Sequence, residues 1–393
     1  MSQVASVLAQ IGAANGMKAA GIEALSISAI LNRKTAMRAR ERVSMVRRKC
    51  SLSQMTMLQP SGEGAISICT ETKMAKYRND LPQLKDKVFL TDGGLETTLV
   101  FHDKIGLPCF AAFMLLRDAE GRERIRNYYR RYTEVAREVG AGFVLESATW
   151  RANRDWAEKL DISRGELAAL NRQSIAMLVE LRDELETPQS PMVISGNIGP
   201  RGDGYNPTSK MSVAEAEDYH GEQTSVFART EADMLAAFTM NYAEEAAGIA
   251  RAAAKADMPL AISFTLETDG KLATGQELKD AIAEVDSAAK RRPVYYMINC
   301  AHPTHFIDAL ERGEAWIKRL RGLRANASKR SHAELDNATD LDAGNPAELG
   351  RDYALLRQRF GKKLNVLGGC CGTDHRHIEA IAASCLPQPA MTG

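Results

Sequence analysis

Two adjacent cysteines near the C-terminus, Cys370 and Cys371, are the residues whose type and spacing point most directly to chemistry. They follow two glycines and precede a third, in the stretch NVLGGCCGT at 365–373. Neighbouring thiols in such a turn do not easily form a disulfide with each other, but both can face one soft metal ion where the backbone bends. The stretch therefore predicts a metal site.

A third thiol ligand is available at Cys300, which ends an apolar run that begins at Val294. Three thiolates without a carboxylate suit Zn²⁺ and leave its fourth position free for exchange, which is typical of a catalytic zinc. A lone cysteine at a strand end is often only a small apolar side chain. We interpret the cysteines without motif context in that way: Cys50, Cys69, Cys109 and Cys385.

The three-thiolate set also restricts the reaction. Zinc with three thiolates carries a net negative charge and activates water poorly, so hydrolysis is disfavoured. The ion would still lower the pKa of a fourth thiol and leave its sulfur nucleophilic. The pattern therefore favours attack of a bound thiolate on an alkyl group of a positively charged donor, and methyl transfer is the natural case.

Alternating short apolar runs and longer helical patterns must position these thiols. The predicted strands are 88–91, 143–145, 192–195, 234–239, 260–265, a run from 294 to Cys300, 322–327 and a last run that reaches Cys370. The predicted helices are 119–140, 164–186, 213–230, 243–255, 277–290, 304–313, 347–360 and one whose N-cap is Thr373 or Asp374.

Eight such units predict an α/β protein, a (β/α)₈ TIM barrel, whose working residues lie at the C-terminal ends of the strands. An open doubly wound sheet is the competing fold, but the chain lacks its Gly-x-Gly-x-x-Gly turn. The unusual residues of this chain fall at the predicted strand ends: Asp92, Glu146, Asn197, Cys300, Asn326, Cys370 and Cys371.

Composition excludes several classes of function. The chain has 393 residues, 45% of them hydrophobic, and a net charge of +1, which gives no general attraction to nucleic acid. No apolar run approaches the ~20 residues of a membrane span. Seven cysteines without a secretory signal predict a reducing compartment, the cytoplasm.

The N-terminal segment differs from the rest, and we predict two parts: an extension at 1–79, loosely helical or disordered, and a catalytic barrel at 80–393. Nine basic residues stand against two acidic ones between Met1 and Cys50. Such a leader is typical of an organelle transit peptide. It is also consistent with upstream translation before a start at Met74, whereas a nucleic-acid arm is disfavoured because aromatic residues are absent among the basic ones.

Five motifs resemble the zinc-dependent homocysteine S-methyltransferase family in the same order and at similar spacing. They are DGG at 92–94, ESATW at 146–150, GNIGP at 196–200, INC at 298–300 and GGCCGT at 368–373. The likeness covers about residues 80 to 385. It implies a zinc enzyme that methylates homocysteine to methionine, with a small-molecule thiol and a methyl donor as its partners.

The resemblance also implies roles for individual residues. Cys300, Cys370 and Cys371 correspond to the zinc ligands, and the homocysteine sulfur would be the fourth. Asp92 corresponds to the first-strand aspartate that meets the substrate amino group. The remaining candidates lie where the family lines the homocysteine pocket, positions substrate or holds loops: Glu146, Ser147, Thr149, Asn299 and Asn326.

One position departs from the family pattern. A glutamate that helps to bind the substrate ammonium usually ends the fourth strand, and Phe238 stands there in this chain. Either Glu146 or Asp92 takes over that role, or the acceptor is another thiol or a selenol. A non-catalytic zinc-binding barrel is the alternative from a different class of protein.

Two weaker signals complete the set of candidates. His302, His305, His375 and His377 lie near the cysteines in sequence, and we expect them to face solvent rather than bind metal. Trp150, Trp156 and Tyr205 are candidates for a donor pocket that uses cation–π contacts, although aromatic residues on loops more often serve packing.

Overall fold

A computed structural model describes residues 74–310 and 315–386. Within this part of the chain, eight parallel strands pair in sequence order, and the last pairs with the first to close a barrel. The predicted TIM barrel is thereby confirmed. The strands are β1 Phe89–Leu90, β2 Gly142–Glu146, β3 Met192–Ile198, β4 Met234–Met240, β5 Leu260–Thr265, β6 Tyr295–Asn299, β7 Leu320–Ala325 and β8 Val366–Gly369.

One helix follows each strand along the chain. These are α1 Ala119–Glu138, α2 Arg164–Leu185, α3 Val213–Ala228, α4 Ala243–Lys255, α5 Leu278–Ala288, the short α6 Pro303–Phe306, α7 Pro346–Phe360 and α8 His375–Cys385. Shorter helical turns lie in the connections: Pro82–Leu84, Leu95–Thr97, Thr98–His102, Pro108–Phe110, Ala112–Arg117, Arg154–Lys159, Ala315–Arg319 and His332–Asp336.

Alternation along the strands divides the apolar residues between two cores. Along β4, Met234, Ala236 and Phe238 belong to the cluster inside the barrel. Leu235 and Ala237 belong instead to the cluster shared with the surrounding helices. Because side chains alternate across a strand, the same parity places residues of the other strand ends inside the mouth of the barrel. Both faces are covered, which explains why the strands are continuous apolar runs.

Most predicted helix bounds agree with the structure to within two residues. Asp374 is confirmed as an N-cap, and its carboxylate accepts a hydrogen bond from the Arg376 backbone N–H at 3.0 Å. The helix predicted at 304–313 is wrong in length, because the α-helical turns end at Phe306; its last residues, 311–313, lie outside the described part. The seventh strand lies two residues earlier than predicted.

The described chain already contacts the barrel before residue 80. The Tyr77 N–H donates to Asp233 Oδ1 at 2.7 Å, and Arg78 Nη2 donates to the carbonyls of Thr230 and Ala232, each at 2.7 Å. The rest of the predicted extension, residues 1–73, lies outside the described residues. No described helix combines the length and apolar character needed to cross a membrane.

Candidate metal and substrate site

Cys300 lies one residue beyond β6, in an unusual backbone conformation. Its φ of 55° is in the left-handed region, which a non-glycine residue adopts only where its surroundings impose it. The Cys300 N–H donates to the carbonyl of Arg324 on β7 at 3.1 Å. Asn299 Nδ2 donates to Cys300 Sγ at 3.1 Å. Hydrogen bonds therefore hold the Cys300 backbone against β7 and its sulfur against Asn299.

Cys370 and Cys371 occupy the turn between β8 and α8. The Cys370 N–H donates to the Ala325 carbonyl at 2.8 Å, and the Cys371 carbonyl accepts from the Ala327 N–H at 3.0 Å. A Cβ on Gly369 would lie 2.0 Å from Thr373 Oγ1, and Gly372 has a φ of 78°. Both positions require glycine, so the glycines of the motif allow two successive thiols to turn inward.

The structure brings the three predicted thiols together. Their sulfur atoms all lie within 4.8 Å of one another, and the Cys300 and Cys370 sulfurs are 2.7 Å apart without a disulfide bond. Hydrogen bonds from Cys370 and Cys371 hold the pKa of Cys300 well below its usual value, and the same contact with Cys300 raises the pKa of Cys371. Three converging sulfur donors form a set that fits one soft metal ion.

Asn299 joins Cys300 to the neighbouring strands. Its Oδ1 accepts from the Thr239 N–H at 3.0 Å and from Ser263 Oγ at 2.6 Å, while its Nδ2 donates to Thr239 Oγ1 at 3.0 Å. Thr239 has a φ of 63° and lies where the pairing of β4 with β5 shifts register. The predicted site residue Asn299 thus uses its whole amide to orient the Cys300 thiol and the end of β4.

Ser147 and Thr149, also predicted as site residues, face the end of β3. Their hydroxyl oxygens are 2.6 Å apart. Ser147 Oγ accepts from the Asn197 N–H at 2.8 Å, and Thr149 Oγ1 donates to the Asn197 carbonyl at 2.7 Å. Both hydroxyls are therefore engaged in fixing the β2 and β3 loops against each other.

Asp92 is buried and already has partners within the chain. The guanidinium of Arg324 lies 2.9 Å from Asp92 Oδ1, although the N–H is not aligned as in a hydrogen bond. Tyr128 donates its hydroxyl to Asp92 Oδ2 at 3.0 Å. Burial raises the pKa of Asp92, and Arg324 opposes that rise. Burial lowers the pKa of Arg324, but Asp92 and Glu146 outweigh it, so the guanidinium stays charged.

Arg324 is a residue of this site that no sequence motif predicts. It lies on β7, where alternation turns it into the barrel. Its Nε donates to the Gly369 carbonyl and its Nη2 to the Gly93 carbonyl, each at 2.9 Å. Arg324 thereby ties the ends of β1 and β8 together beside the cysteine turn. The available signal was an arginine in the middle of a predicted strand, a charge that burial makes costly without a partner.

Glu146 ends β2 and points into the barrel, 4% exposed. Its Oε2 is buried and has no hydrogen-bond partner. Burial raises the pKa of Glu146 to about 7, against the opposing effect of Arg324. The mouth of the barrel therefore holds two buried carboxylates, Asp92 and Glu146, and one buried guanidinium.

Phe238 and Asn326 complete the predicted set. The Phe238 ring lies 5.1 Å from the guanidinium carbon of Arg324, on the inner face of the barrel. Asn326 donates to the Cys300 carbonyl at 2.9 Å, and its Oδ1 is buried without a hydrogen-bond partner. An aromatic ring and a cation thus stand together where the resemblance leads one to expect a carboxylate.

Tyr205 and His332 lie beside the thiols, and their rings stack on each other. The Tyr205 hydroxyl lies 3.8 Å from Cys371 Sγ, and its ring stacks on His332 with 4.2 Å between centroids. Burial and the cysteine sulfurs raise the pKa of Tyr205, so it keeps its proton. His332 Nε2 hydrogen-bonds to the Cys300 carbonyl, and its Nδ1 lies 3.0 Å from Glu267. His332 lies far from any motif, so its place in the site is not predicted from the sequence.

The aromatic residues proposed for a donor pocket already hold a cation of the chain itself. The guanidinium carbon of Arg151 lies 4.3 Å from the Trp150 ring and 3.8 Å from the Trp156 ring. The two tryptophan rings therefore pack on Arg151.

Glu96, half-buried after β1, is another carboxylate of this mouth, and burial raises its pKa to about 7.

The prediction that the nearby histidines face solvent is wrong. His302 and His377 are buried, at 2% and 0% exposure, and His305 and His375 are half-buried. His302 Nδ1 accepts from the Thr304 N–H at 3.3 Å, and His377 Nε2 hydrogen-bonds to the Ala343 carbonyl at 2.8 Å. Their rings satisfy backbone groups at helix starts, a need that sequence spacing does not display.

A family model described as homocysteine S-methyltransferase matches residues 89–385. Homocysteine S-methyltransferase 2 of Arabidopsis thaliana is 23% identical over 321 residues, which cover 74% of this chain and 90% of that protein. Homocysteine S-methyltransferase YbgG of Bacillus subtilis is 26% identical over 242 residues, covering 56% and 72% respectively.

Solved structures share the fold. The oxidized form of the homocysteine methyltransferase MmuM from Escherichia coli superposes with a TM-score of 0.60 at 21% identity, covering 77% of this chain and 97% of that one. The metallated form gives a TM-score of 0.58 at 21% identity, covering 76% and 96%.

Proposed function

Since the chain belongs to the homocysteine S-methyltransferase family and is a methyltransferase, we propose that it transfers a methyl group from a cationic or activated donor to the thiol of homocysteine, giving methionine, and that zinc held by Cys300, Cys370 and Cys371 supports the reaction. The observation that carries the proposal is the convergence of three free thiols within 4.8 Å of one another. The family model and the relatives support the acceptor.

Bound zinc would supply a Lewis acid that lowers the pKa of the acceptor thiol and keeps it as a thiolate at neutral pH. The metallated form of a solved relative supports a metal at this centre. The cysteine cluster itself contains no carboxylate or imidazole among the described residues. A donor set of this kind is better suited to alkylation of sulfur than to activation of water.

The residues of the chain prepare this centre in two ways. Asn299 Nδ2 donates to the Cys300 sulfur, and the Tyr205 hydroxyl lies 3.8 Å from Cys371 Sγ, so these contacts orient two of the thiols before substrate arrives. In the transfer, the acceptor sulfur forms a bond to the methyl carbon as the bond from that carbon to the donor breaks. The electron pair of the broken bond stays with the donor, so that a cationic donor becomes neutral, and the proton of the acceptor thiol has already been released when the thiolate forms.

The test is a matrix of methyl donors against thiol acceptors, run on protein whose metal content has been measured. We expect zinc in the purified protein and methylation of homocysteine with at least one donor, among them S-methylmethionine, S-adenosylmethionine, a betaine and a methylfolate. Protein that holds no zinc, or that holds zinc and methylates no acceptor, would contradict the proposal.

A second acceptor class is favoured by one observation. Phe238 and Arg324 stand where a carboxylate for an ammonium group is expected, which suits a thiol or selenol without an amino group. The same matrix separates the two acceptors. A zinc centre whose metal spectrum does not change on addition of any thiol would instead favour a non-catalytic zinc-binding barrel.

A reducing compartment such as the cytoplasm suits this centre. The five cysteines within the described residues are all free. Metal-binding thiols in such close contact are readily lost to oxidation. We therefore propose that the protein works where thiols are kept reduced.

A further inference from the structure

The buried charges at the mouth of the barrel do not balance. Asp92 and Glu146 are both at most 4% exposed, and Arg324 is the guanidinium that acts on both of them. A buried carboxylate without a partner is costly. A ligand that brings one positive charge would complete this set.

The two carboxylates are not equivalent. Asp92 has Arg324 at 2.9 Å from one oxygen and the Tyr128 hydroxyl at 3.0 Å from the other. Glu146 has a buried Oε2 without any hydrogen-bond partner. A cationic ligand that bound Asp92 would have to compete with a guanidinium that is also anchored to the Gly93 and Gly369 carbonyls. Glu146 forms no ion pair with Arg324, although the charge of that guanidinium opposes the rise in its pKa.

Glu146 lies at the end of the barrel where a substrate is expected. It occupies the inner face of β2 at the C-terminal end of the barrel, where the cysteines also lie, and its register partner on β3 is Ser195. Ser195 Oγ is buried beside the Glu146 carboxyl and opposes the rise in its pKa, although the two groups are not aligned as in a full hydrogen bond. Glu146 therefore has a neutral hydroxyl rather than a cation as its neighbour on β3, which is unusual for a carboxylate in a closed core.

We propose that Glu146, rather than Asp92, receives the ammonium group of the acceptor, and that Arg324 serves to hold Asp92 in place. The acceptor class is thus an amino-bearing thiol, consistent with homocysteine. This inference rests on the proposed function, and it assigns specificity to a residue of β2. It also supplies a carboxylate for the ammonium group in a chain that has Phe238 on β4, where the family usually has a glutamate.

The experiment measures how strongly the amino group is preferred. The acceptors are homocysteine and 4-mercaptobutanoate, which is the same molecule without its amino group. The matched ligands for calorimetry are methionine and 4-(methylthio)butanoate, whose binding does not require a free thiol. Each pair gives a ratio of affinities or of kcat/KM in which general damage to the protein cancels.

In the wild-type protein we expect each ratio to favour the amino compound by about 30-fold or more, as for an ammonium paired with a buried carboxylate. Glu146→Gln should reduce each ratio to near one and raise KM for homocysteine, while turnover of 4-mercaptobutanoate stays close to wild type. Rescue of the preference by Glu146→Asp would support the same conclusion.

Glu96→Gln is the matched control, because it removes a carboxylate of the same mouth whose pKa is also raised to about 7. Its ratios should remain as in the wild type. The inference is overturned if Glu146→Gln leaves the ratios unchanged, if Glu96→Gln or Asp92→Asn alone abolishes them, or if the wild-type protein shows no preference for the amino compounds. A protein that methylates no thiol overturns the proposed function instead, while the calorimetric ratios still decide the role of Glu146.

Discussion

Two buried arginine–aspartate pairs lie at opposite ends of the barrel and differ in how completely the hydrogen bonds of their carboxylates are satisfied. At the N-terminal end, Asp233 lies 2.7 Å from Arg182 and accepts backbone hydrogen bonds from Ile194 and Tyr77. At the C-terminal end, Arg324 and Asp92 are accompanied by Glu146, whose Oε2 has no partner.

The difference shows that a pair of the same two residue types can serve two purposes. The N-terminal pair satisfies both oxygens of its aspartate and fixes the chain where β4 begins, although Arg182 Nε has no hydrogen-bond partner. The C-terminal pair leaves polar atoms unsatisfied beside three thiols, a cost in stability that ligand binding can recover. This division agrees with the general rule that barrel enzymes place stability at the N-terminal face and activity at the other.

At the C-terminal end of the barrel, the largest effect is expected from removing a thiol. Cys370→Ser should abolish bound zinc and reduce methyl transfer by more than about 100-fold, because even outer-shell partners of a metal contribute that much. Metal analysis and a methyl-transfer assay measure the two effects. Cys385→Ser is the control, since this cysteine lies outside the cluster. Retention of both zinc and activity in the Cys370 variant would refute the assignment.

The N-terminal pair should respond in the opposite way. Asp233→Ala leaves Arg182 buried without its partner, so we expect the free energy of unfolding to fall by about 3–5 kcal/mol. The KM for the acceptor should not change in protein that remains folded. Asp80→Ala is the control, because the exposed ion pair of Asp80 with Lys85 should contribute no more than about 1 kcal/mol. Urea denaturation and steady-state kinetics test the contrast.

The cost of burying Glu146 at the C-terminal end of the barrel should appear as a pH dependence of the free energy of unfolding. Its pKa is raised from 4.5 to about 7 by burial, so the folded protein binds this proton more tightly than the unfolded chain does. The stabilisation is complete below pH 4.5 and is lost as pH rises through 7. Glu146→Gln cannot ionise and should gain about 2–3 kcal/mol relative to wild type between pH 5 and pH 8.

Unfolding curves of the wild type and Glu146→Gln at pH 5, 6.5 and 8 provide this measurement. Because all other groups titrate alike in both proteins, the difference between the two curves isolates Glu146. A difference that stays constant with pH, or that shrinks toward pH 8, would show that this carboxylate is paired in the folded protein.

Tyr205 should give the smallest effect. The contact between its hydroxyl and Cys371 Sγ is long, at 3.8 Å, and a single neutral hydrogen bond contributes about 0.5–1.5 kcal/mol. Tyr205→Phe should therefore reduce kcat/KM by less than about tenfold and leave zinc content unchanged. A loss as large as that of Cys370→Ser would mean that the hydroxyl takes part directly in the transfer.

Much of the barrel could be predicted because its signal is local. Each strand is a short apolar run, and most helix bounds follow from amphipathic periodicity and capping residues such as Asp374. The three thiols could be predicted as a set because the GGCC motif, and Cys300 at the end of its strand, stand out against the apolar strands that precede them. The error over His302 and His377 arose because burial of a histidine depends on which carbonyls and N–H groups other segments leave unsatisfied.

The sequence by itself determined the order of the elements, the end of the barrel at which unusual residues gather, and the soft character of the metal donors. These properties depend on residue type and on spacing along the chain. Only the tertiary structure decided which charges face one another. Closure of the barrel places Arg324 of β7 against Asp92 of β1, which leaves Glu146 of β2 unsatisfied. Residues so far apart in sequence meet only when the last strand pairs with the first.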